Sequence, residues 1–383
     1  MFGQKRKLAK RRFETSVDPK SLPVIVYRTE WDSGGGDLVY GVVRYVNLLF
    51  EEGLYAPQGL KPKLMQCYHT DLYLAQVNNG GHSQYTGNGR PHLEDTNANV
   101  ALGLRAMGAS IHDDIFTRYR TWLVANSRLA QEQTGFGDIP DFLKSLDSEF
   151  YKAPDLSDLN AAWIQRWDDV ILAEDVDDYR MKMQVLFQSN PDRDAVRISR
   201  EIRSATHSLT SPQELGLAIA GSQQPGFVLT RLSGGGQVVE DDDGNTTAVF
   251  PAECNALSGS TVTVHHMTRG VVAVVHQAGE QTIMGKVSNE TLETLIRMAR
   301  ELAAGPALHL LASRAGLDLN SHIIVPQVGD GQTYSVRLLD HNARCAGWMT
   351  LNAGGAVLTG PAGREQRAKI GRQDIVAHAA RAQ

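Results

Sequence analysis

The spacing of the apolar residues changes near residue 208. Before it, apolar positions recur at helical intervals. After it, they gather in short alternating runs divided by Gly- and Asp-rich turns. A 3.6-residue period buries one stripe of a helix and a two-residue period buries one face of a strand, so neither pattern serves in place of the other. With 383 residues the chain is also long for one domain. The expectation is a multidomain protein: an all-α domain over 21–208, then an α+β domain with a mostly antiparallel sheet over 209–383. Residues 1–20 read as a flexible basic tail.

Several stripes carry the helical half. Val39, Val42, Val43, Val46, Leu49 and Phe50 share a face, and Gly53 reads as the stop. The preceding "WDSGGGD" reads as a loop with Asp37 as N-cap. Leu64, Tyr68, Leu72 and Ala75 mark a second helix. Ile111, Ile115, Tyr119, Trp122 and Leu129 mark a third, and Trp163, Trp167, Val170 and Ile171 a fourth. Asn190-Pro191 opens a helix with Ala195, Ile198, Ile202 and Ala205 on one side; Pro suits a first helical position. "LPVIVYRT" reads as a short strand. In the second half "GFVLTRL", "TTAVFP", "STVTVHHM", "GVVAVVHQ", "HIIVPQV", "TYSVRLL" and "GWMTLNAGGAVLTG" read as strands. Leu292, Leu295, Ile296, Ala299 and Leu302 read as a helix, and 364–381 as a closing one.

Composition narrows the classes. No run of 18 apolar residues exists, so no membrane span is expected. The basic N-terminus lacks an apolar stretch behind it and is not a secretory signal. Cys67, Cys254 and Cys345 lie far apart, against a disulfide framework or a zinc site, and a reducing cytoplasm follows. "SGGGD" and "SGGGQ" lack the lysine of a phosphate-binding loop and the order of a dinucleotide fingerprint. "EDDDGNTT" has its Gly too early for a calcium loop and reads as a hairpin turn. No cofactor and no metal are expected. An enzymatic alternative places a site in the α+β domain, with His265, His266, His276 and the acids 240–243 as first candidates. Adjacent His on a strand face opposite ways, so only one of the pair could join His276.

Charge is unevenly spread. Residues 138–178 hold twelve acids against three bases, a local charge of −9 in a chain of net −5. Asp168, Asp169, Glu174, Asp175, Asp177 and Asp178 are the candidate acidic binding surface. Carboxylates spaced along helices stand in for a row of phosphates, because Lys and Arg respond to charge whatever carries it. The acidic body opposes direct nucleic-acid binding through the basic tail.

The stretch "LMQCYHTDLYLAQVNNGGHSQYTGN", residues 64–88, ends an apolar helix in Asn-Asn-Gly-Gly. Asn78 or Asn79 with Gly80 or Gly81 supply the positive-φ residue that closes a helix. Gln84 and Asn88 then satisfy the freed backbone groups. The stretch resembles the signature of the DNA-mimic protein family, a bacterial helical domain. Val77, Asn78, Asn79, Gly80, Gly81, Gln84, Tyr85 and Asn88 match in order. His82 stands where that family has Phe, and Thr86 where it has a second aromatic. Leu146, Asp147, Phe150 and Tyr151 in "LKSLDSEFYK" resemble a further family stretch, and "LFQSNP" its closing Asn-Pro. The resemblance covers about residues 35–205. It implies a helical domain without known catalysis, and in the member that gave the name, a carboxylate surface that occupies a transcription factor's DNA-binding face. The expected role is a non-enzymatic interaction protein with a basic partner, a transcription factor or, in an immunity role, a nuclease toxin. The second half resembles no family.

Overall fold

The computed structural model describes residues 19–223, 229–232, 237–240, 246–254, 261–267, 270–277, 280–327 and 333–382. The chain forms two compact units, Met1–Asp194 and Ala195–Gln383.

The first unit is helical around one small sheet. Strand β1 (Val24–Tyr27) leads into α1 (Arg28–Ser33) and α2 (Gly35–Glu51). The Gly-rich segment is therefore a helix junction rather than a loop. Gly34 is the N-cap of α2, and Asp37 lies in its first turn, where a carboxylate favours the helix dipole. There follow α3 (Pro62–Gly89), α4 (Leu93–Met107), α5 (Ser110–Ala125), α6 (Ser127–Glu132), α7 (Asp141–Phe150) and α8 (Leu156–Ile164). Val170 and Ile171 do not continue a helix. They open β2 (Val170–Ala173), which pairs in parallel with β1 through Val24–Val170 and Ile25–Ile171. A short β-branched run suits either period, and pairing with a buried strand decides it. α9 (Val176–Ser189) completes the unit. One core gathers β1, α2, the start of α3, and α9; a second gathers the rest of α3 with α4, α5 and α7.

α10 (Arg193–Thr210) crosses into the second unit, and α11 (Pro212–Gly221) follows. Strands β3 (Leu229–Leu232), β4 (Gln237–Glu240), β5 (Thr246–Cys254), β6 (Thr261–Met267), β7 (Gly270–Gln277) and β8 (Glu280–Ser288) form a six-stranded antiparallel sheet, with β4 on β5. Helices α12 (Asn289–Leu302) and α13 (Ala304–Ala315) separate it from a meander of β9 (Ile323–Gln327), β10 (Tyr334–Leu339), β11 (Cys345–Asn352), β12 (Gly355–Thr359) and β13 (Gln366–Gly371). α14 (Arg372–Ala379) closes the chain; the first part of the 364–381 stretch expected as a helix is instead strand β13, held by its pairing with β12. In the meander the alternation is plain: Tyr334, Val336 and Leu338 are buried on one face of β10. The architecture is the expected helical region followed by an α+β region. Among the described residues no helix is long and apolar enough to cross a membrane.

Candidate interaction surface and the motif beneath it

α3 breaks where the sequence places the break. Gly81 has φ +70°, a region open to glycine and strained for other residues, while Gly80 is extended at φ −163°. The helix restarts at once, so the motif is a kink inside α3. Asn78 and Asn79 are exposed at the kink, whereas His82, Ser83, Gln84, Tyr85 and Thr86 are buried beyond it.

Helix α7 locks the kink. Asp147 Oδ1 accepts from the backbone N–H of His82 at 2.8 Å and sits 2.5 Å from His82 Nδ1. The other ring nitrogen, Nε2, lies 2.8 Å from the Tyr73 hydroxyl. Tyr151 donates from its hydroxyl to the Val77 carbonyl at 2.7 Å, so an orphan carbonyl of the broken helix gains a partner. Gln84 and Asn88 behave differently from expectation. Their amides donate to the Gln76 side chain, at 3.0 and 2.6 Å, rather than to backbone groups. They tie the two halves of α3 across the break.

Aromatic rings fill the space under the kink. Tyr73 is fully buried and meets Tyr85, Phe116 and Phe150 edge-on at centroid distances of 5.0, 4.9 and 5.5 Å. Tyr85 donates to Asn97 Oδ1, and the hydroxyls of Thr86 and Tyr119 lie 2.8 Å apart. Burial pushes the Tyr73, Tyr85 and Tyr119 hydroxyls far above the usual phenol range, so they remain protonated. His82 fits a place otherwise filled by Phe because Asp147 and Tyr73 satisfy both ring nitrogens.

The six candidate carboxylates fall into two groups. Asp169 is three-quarters buried and pairs with Lys61 and Lys63. Burial pushes its carboxyl up, but the hydrogen bonds from the two lysines outweigh this and hold it below the usual range. Asp178 pairs with Lys182, which lowers its carboxyl too. Asp168, Glu174, Asp175 and Asp177 are exposed. Glu174 receives the Arg28 guanidinium, 2.6 Å away. Asp175 caps α9 by accepting from the Asp178 N–H. Arg28, Lys61 and Lys63 lie more than 100 residues away in sequence from the acids they meet, so nothing local announces them.

The alternative site in the second unit is not assembled. His265 lies opposite Val249 and Val272, while His276 lies opposite Thr261, at the other end of β6. His265 Nε2 is 2.9 Å from the Thr263 hydroxyl. Acids 241–243 lie outside the described residues. Among the described residues no three His, Cys, Asp or Glu side chains group as metal ligands. Cys67 and Cys345 are free, and burial pushes the Cys67 thiol far up, away from reactive thiolate.

No curated protein and no solved structure matches the chain. The break in α3, its clasp by α7 and the aromatic layer between them all fall within residues 58–167, and this segment matches the family of the DMP19-like protein, the DNA-mimic family that the sequence motif resembles.

Proposed function

We propose that this is a non-enzymatic interaction protein of the cytoplasm whose acidic helical unit binds a basic protein, in the manner of a DNA mimic. The observation that carries the reading is the coincidence of the family match with the −9 segment: residues 138–178 begin inside the matched region and run on through β2 into α9. Exposure supports it. The Asp141 side chain is fully exposed and that of Asp177 is 90% exposed. Their ion pairs with Lys144 and Arg180 lie at the surface, where water and salt screen them. A basic partner displaces them at little cost. Asp169 and Asp178, held by lysines of their own fold, act instead as anchors of β2 and α9. The favoured partner is a DNA-binding regulator, since its Lys and Arg are already arranged for regularly spaced anions.

The test replaces Asp168, Glu174 and Asp177 by their amides in the full chain. The triple variant should keep its helical content and bind the partner at least about tenfold more weakly at low salt. Unchanged affinity would show that these carboxylates take no part. A partner that cleaves nucleic acid, inhibited on binding, would assign an immunity role instead of a regulatory one.

A further inference from the structure

The second unit holds two side-chain arrangements that the acidic surface does not use. One is a buried row. Glu201 Oε2 lies 2.7 Å from His309 Nε2, and His309 Nδ1 lies 2.8 Å from His378 Nε2, so the row joins α10, α13 and α14. The other is an open face of the meander.

The meander has an inner and an outer face. Val336, Leu338, Met349, Leu351, Leu358 and Ile370 point inward to the core of the unit. Residues opposite one another on neighbouring strands share a face. Arg337 pairs with Trp348, Trp348 with Thr359, and Thr359 with Gln366, so these four form one line across the outer face. Ser335, Thr350, Val357 and Lys369 form the next. On the β9 side α11 packs against this face, with Ala218 beside Val325 and Leu339. Farther across, Thr350, Gln366 and Lys369 are exposed and Trp348 is partly exposed. The indole is held in place: Nε1 donates to the Pro361 carbonyl at 3.2 Å, and the Arg337 guanidinium lies 5.9 Å from the ring centroid.

Cations gather round this ring. Residues 334–372 carry Arg337, Arg344, Arg364, Arg367, Lys369 and Arg372 against two acids, Asp340 and Glu365, a local charge of +4. The turns after β10 and β12 lie at the Trp348 end of the sheet and carry Arg344 and Arg364. Arg367 donates to the Ala346 carbonyl at 3.1 Å, two residues before Trp348. Lys369 lies on β13, two strands from Trp348, which is about 10 Å across the sheet at the usual strand spacing. Among the described residues none of Arg344, Arg364, Arg367 and Lys369 pairs with an acid. Asp340 is engaged by its own turn, where it accepts from the N–H groups of Asn342 and Arg344. Glu365 is exposed and remains the opposing charge.

We propose that the outer face of the meander binds single-stranded RNA: an unpaired base stacks on Trp348, and the flanking phosphates meet Arg364, Arg367 and Lys369. An aromatic ring with cations alongside suits an unpaired strand, since every base has a face to stack. A duplex hides those faces. Thr350 and Gln366 offer donors and acceptors to the ribose 2′-hydroxyl, which favours RNA over DNA. An acidic protein would match the charge and leave the ring idle. The site does not depend on the acidic segment, which belongs to the first unit.

The experiment titrates a fluorescein-labelled oligouridylate of about fifteen nucleotides, a length typical of single-strand sites, into the full chain and reads anisotropy, with tryptophan emission read on the unlabelled strand. The expected result is saturable binding that quenches Trp348 and weakens about twentyfold between about 50 and 200 mM salt, the loss for three phosphate contacts. Arg364→Gln with Lys369→Gln, both at exposed positions, leaves one of the three contacts and should cut that salt effect to about threefold. Trp348→Leu should weaken binding about tenfold and remove the quenching. The deoxyuridylate of equal length should bind about threefold more weakly, the value of one neutral hydrogen bond. Absence of saturable binding would overturn the proposal. So would binding that neither variant changes, which would place the strand on the basic residues 5–12 instead. A polyglutamate peptide that displaces the oligouridylate at equal charge would assign the face to an acidic protein, and deoxyuridylate bound as tightly as uridylate would overturn the choice of RNA.

Discussion

The Oδ1 atom of Asp147 accepts from the backbone N–H of His82 and also faces its Nδ1, at 2.8 and 2.5 Å. One carboxylate on α7 thus secures both the backbone and the ring of the first residue after a helix break. His82 is fully buried and the Asp147 side chain is 15% exposed, so little water competes for these bonds. The pair holds the chain in a backbone conformation that glycine adopts freely and other residues do not, at Gly81.

Asp147→Ala should destabilise the helical unit by about 3 kcal/mol, since it strands a buried ring nitrogen and a backbone N–H together. Asp147→Asn should cost less, because an amide oxygen still accepts. A cycle with His82→Ala should give a coupling of at least about 1 kcal/mol in denaturant unfolding. Additive effects would mean that the two residues stabilise the unit separately.

Gly81→Ala should be more damaging than Gly80→Ala. At Gly81 the added Cβ would meet Asp147 Oδ2 at 2.3 Å in a backbone at φ +70°. At Gly80 φ suits any residue and the close atoms belong to the flexible Gln84 side chain. The expected cost at Gly81 is roughly 2–4 kcal/mol, from strain and overpacking together. Hydrogen exchange of α3 and α7 amides checks it, and equal protection in the two variants would contradict the account.

In the second unit Gly305 permits close contact of α13 with α10. A Cβ there would lie 2.6 Å from the Thr206 Cα and 2.7 Å from its backbone nitrogen. Backbone cannot step aside as a side chain does, so Gly305→Ala should cost roughly 1–3 kcal/mol. The lowered stability should appear in thermal unfolding, while a variant with wild-type unfolding would show that the helices separate without loss.

Asp169 and His378 are two of the groups whose shifts make stability depend on pH, alongside His69 and His112, which burial also lowers. Asp169 has a folded pKa below its unfolded value, so its contribution is present above the ordinary carboxylate range, near pH 4, and is lost as pH falls through the folded value. Asp169→Asn should therefore lower stability at pH 7 and matter less in acid. His378 is depressed to about 4, against about 6.5 unfolded. Between those values the unfolded chain binds the extra proton, so stability rises with pH up to about 6.5. His378→Gln should flatten that slope. A slope unchanged in the variant would assign it to other groups.

Much of the fold was legible because long amphipathic stripes and alternating runs have distinct periods. That ground gives Val39 to Phe50 and the meander strands β9 to β12, but not β13 (Gln366–Gly371), which lies in the 364–381 stretch that reads as a helix. α4 was not read, because it buries Thr96 and Asn97 beside Val100 and Leu104, so its inner face is not uniformly apolar. Val170 and Ile171 suit the helical period as well as the strand period, because a four-residue strand is scarcely longer than one 3.6-residue helical turn and too short for alternation to show. At the kink, Asn-Asn-Gly-Gly announced the break and not its clasp: Asp147 lies 65 residues from His82. Glu201, His309 and His378 left no local trace at all. The links of that row span 108 and 69 residues, and each residue alone reads as an ordinary surface or core side chain.

The central claim is that the helical unit offers carboxylates to a surface built for DNA. The most direct measurement immobilises the full chain, captures proteins from the native lysate at about 50 mM salt, and elutes them with duplex DNA. The account predicts elution of a basic DNA-binding protein by the duplex and its release by about 200 mM salt without DNA. A captured partner that neither duplex nor salt displaces would contradict it.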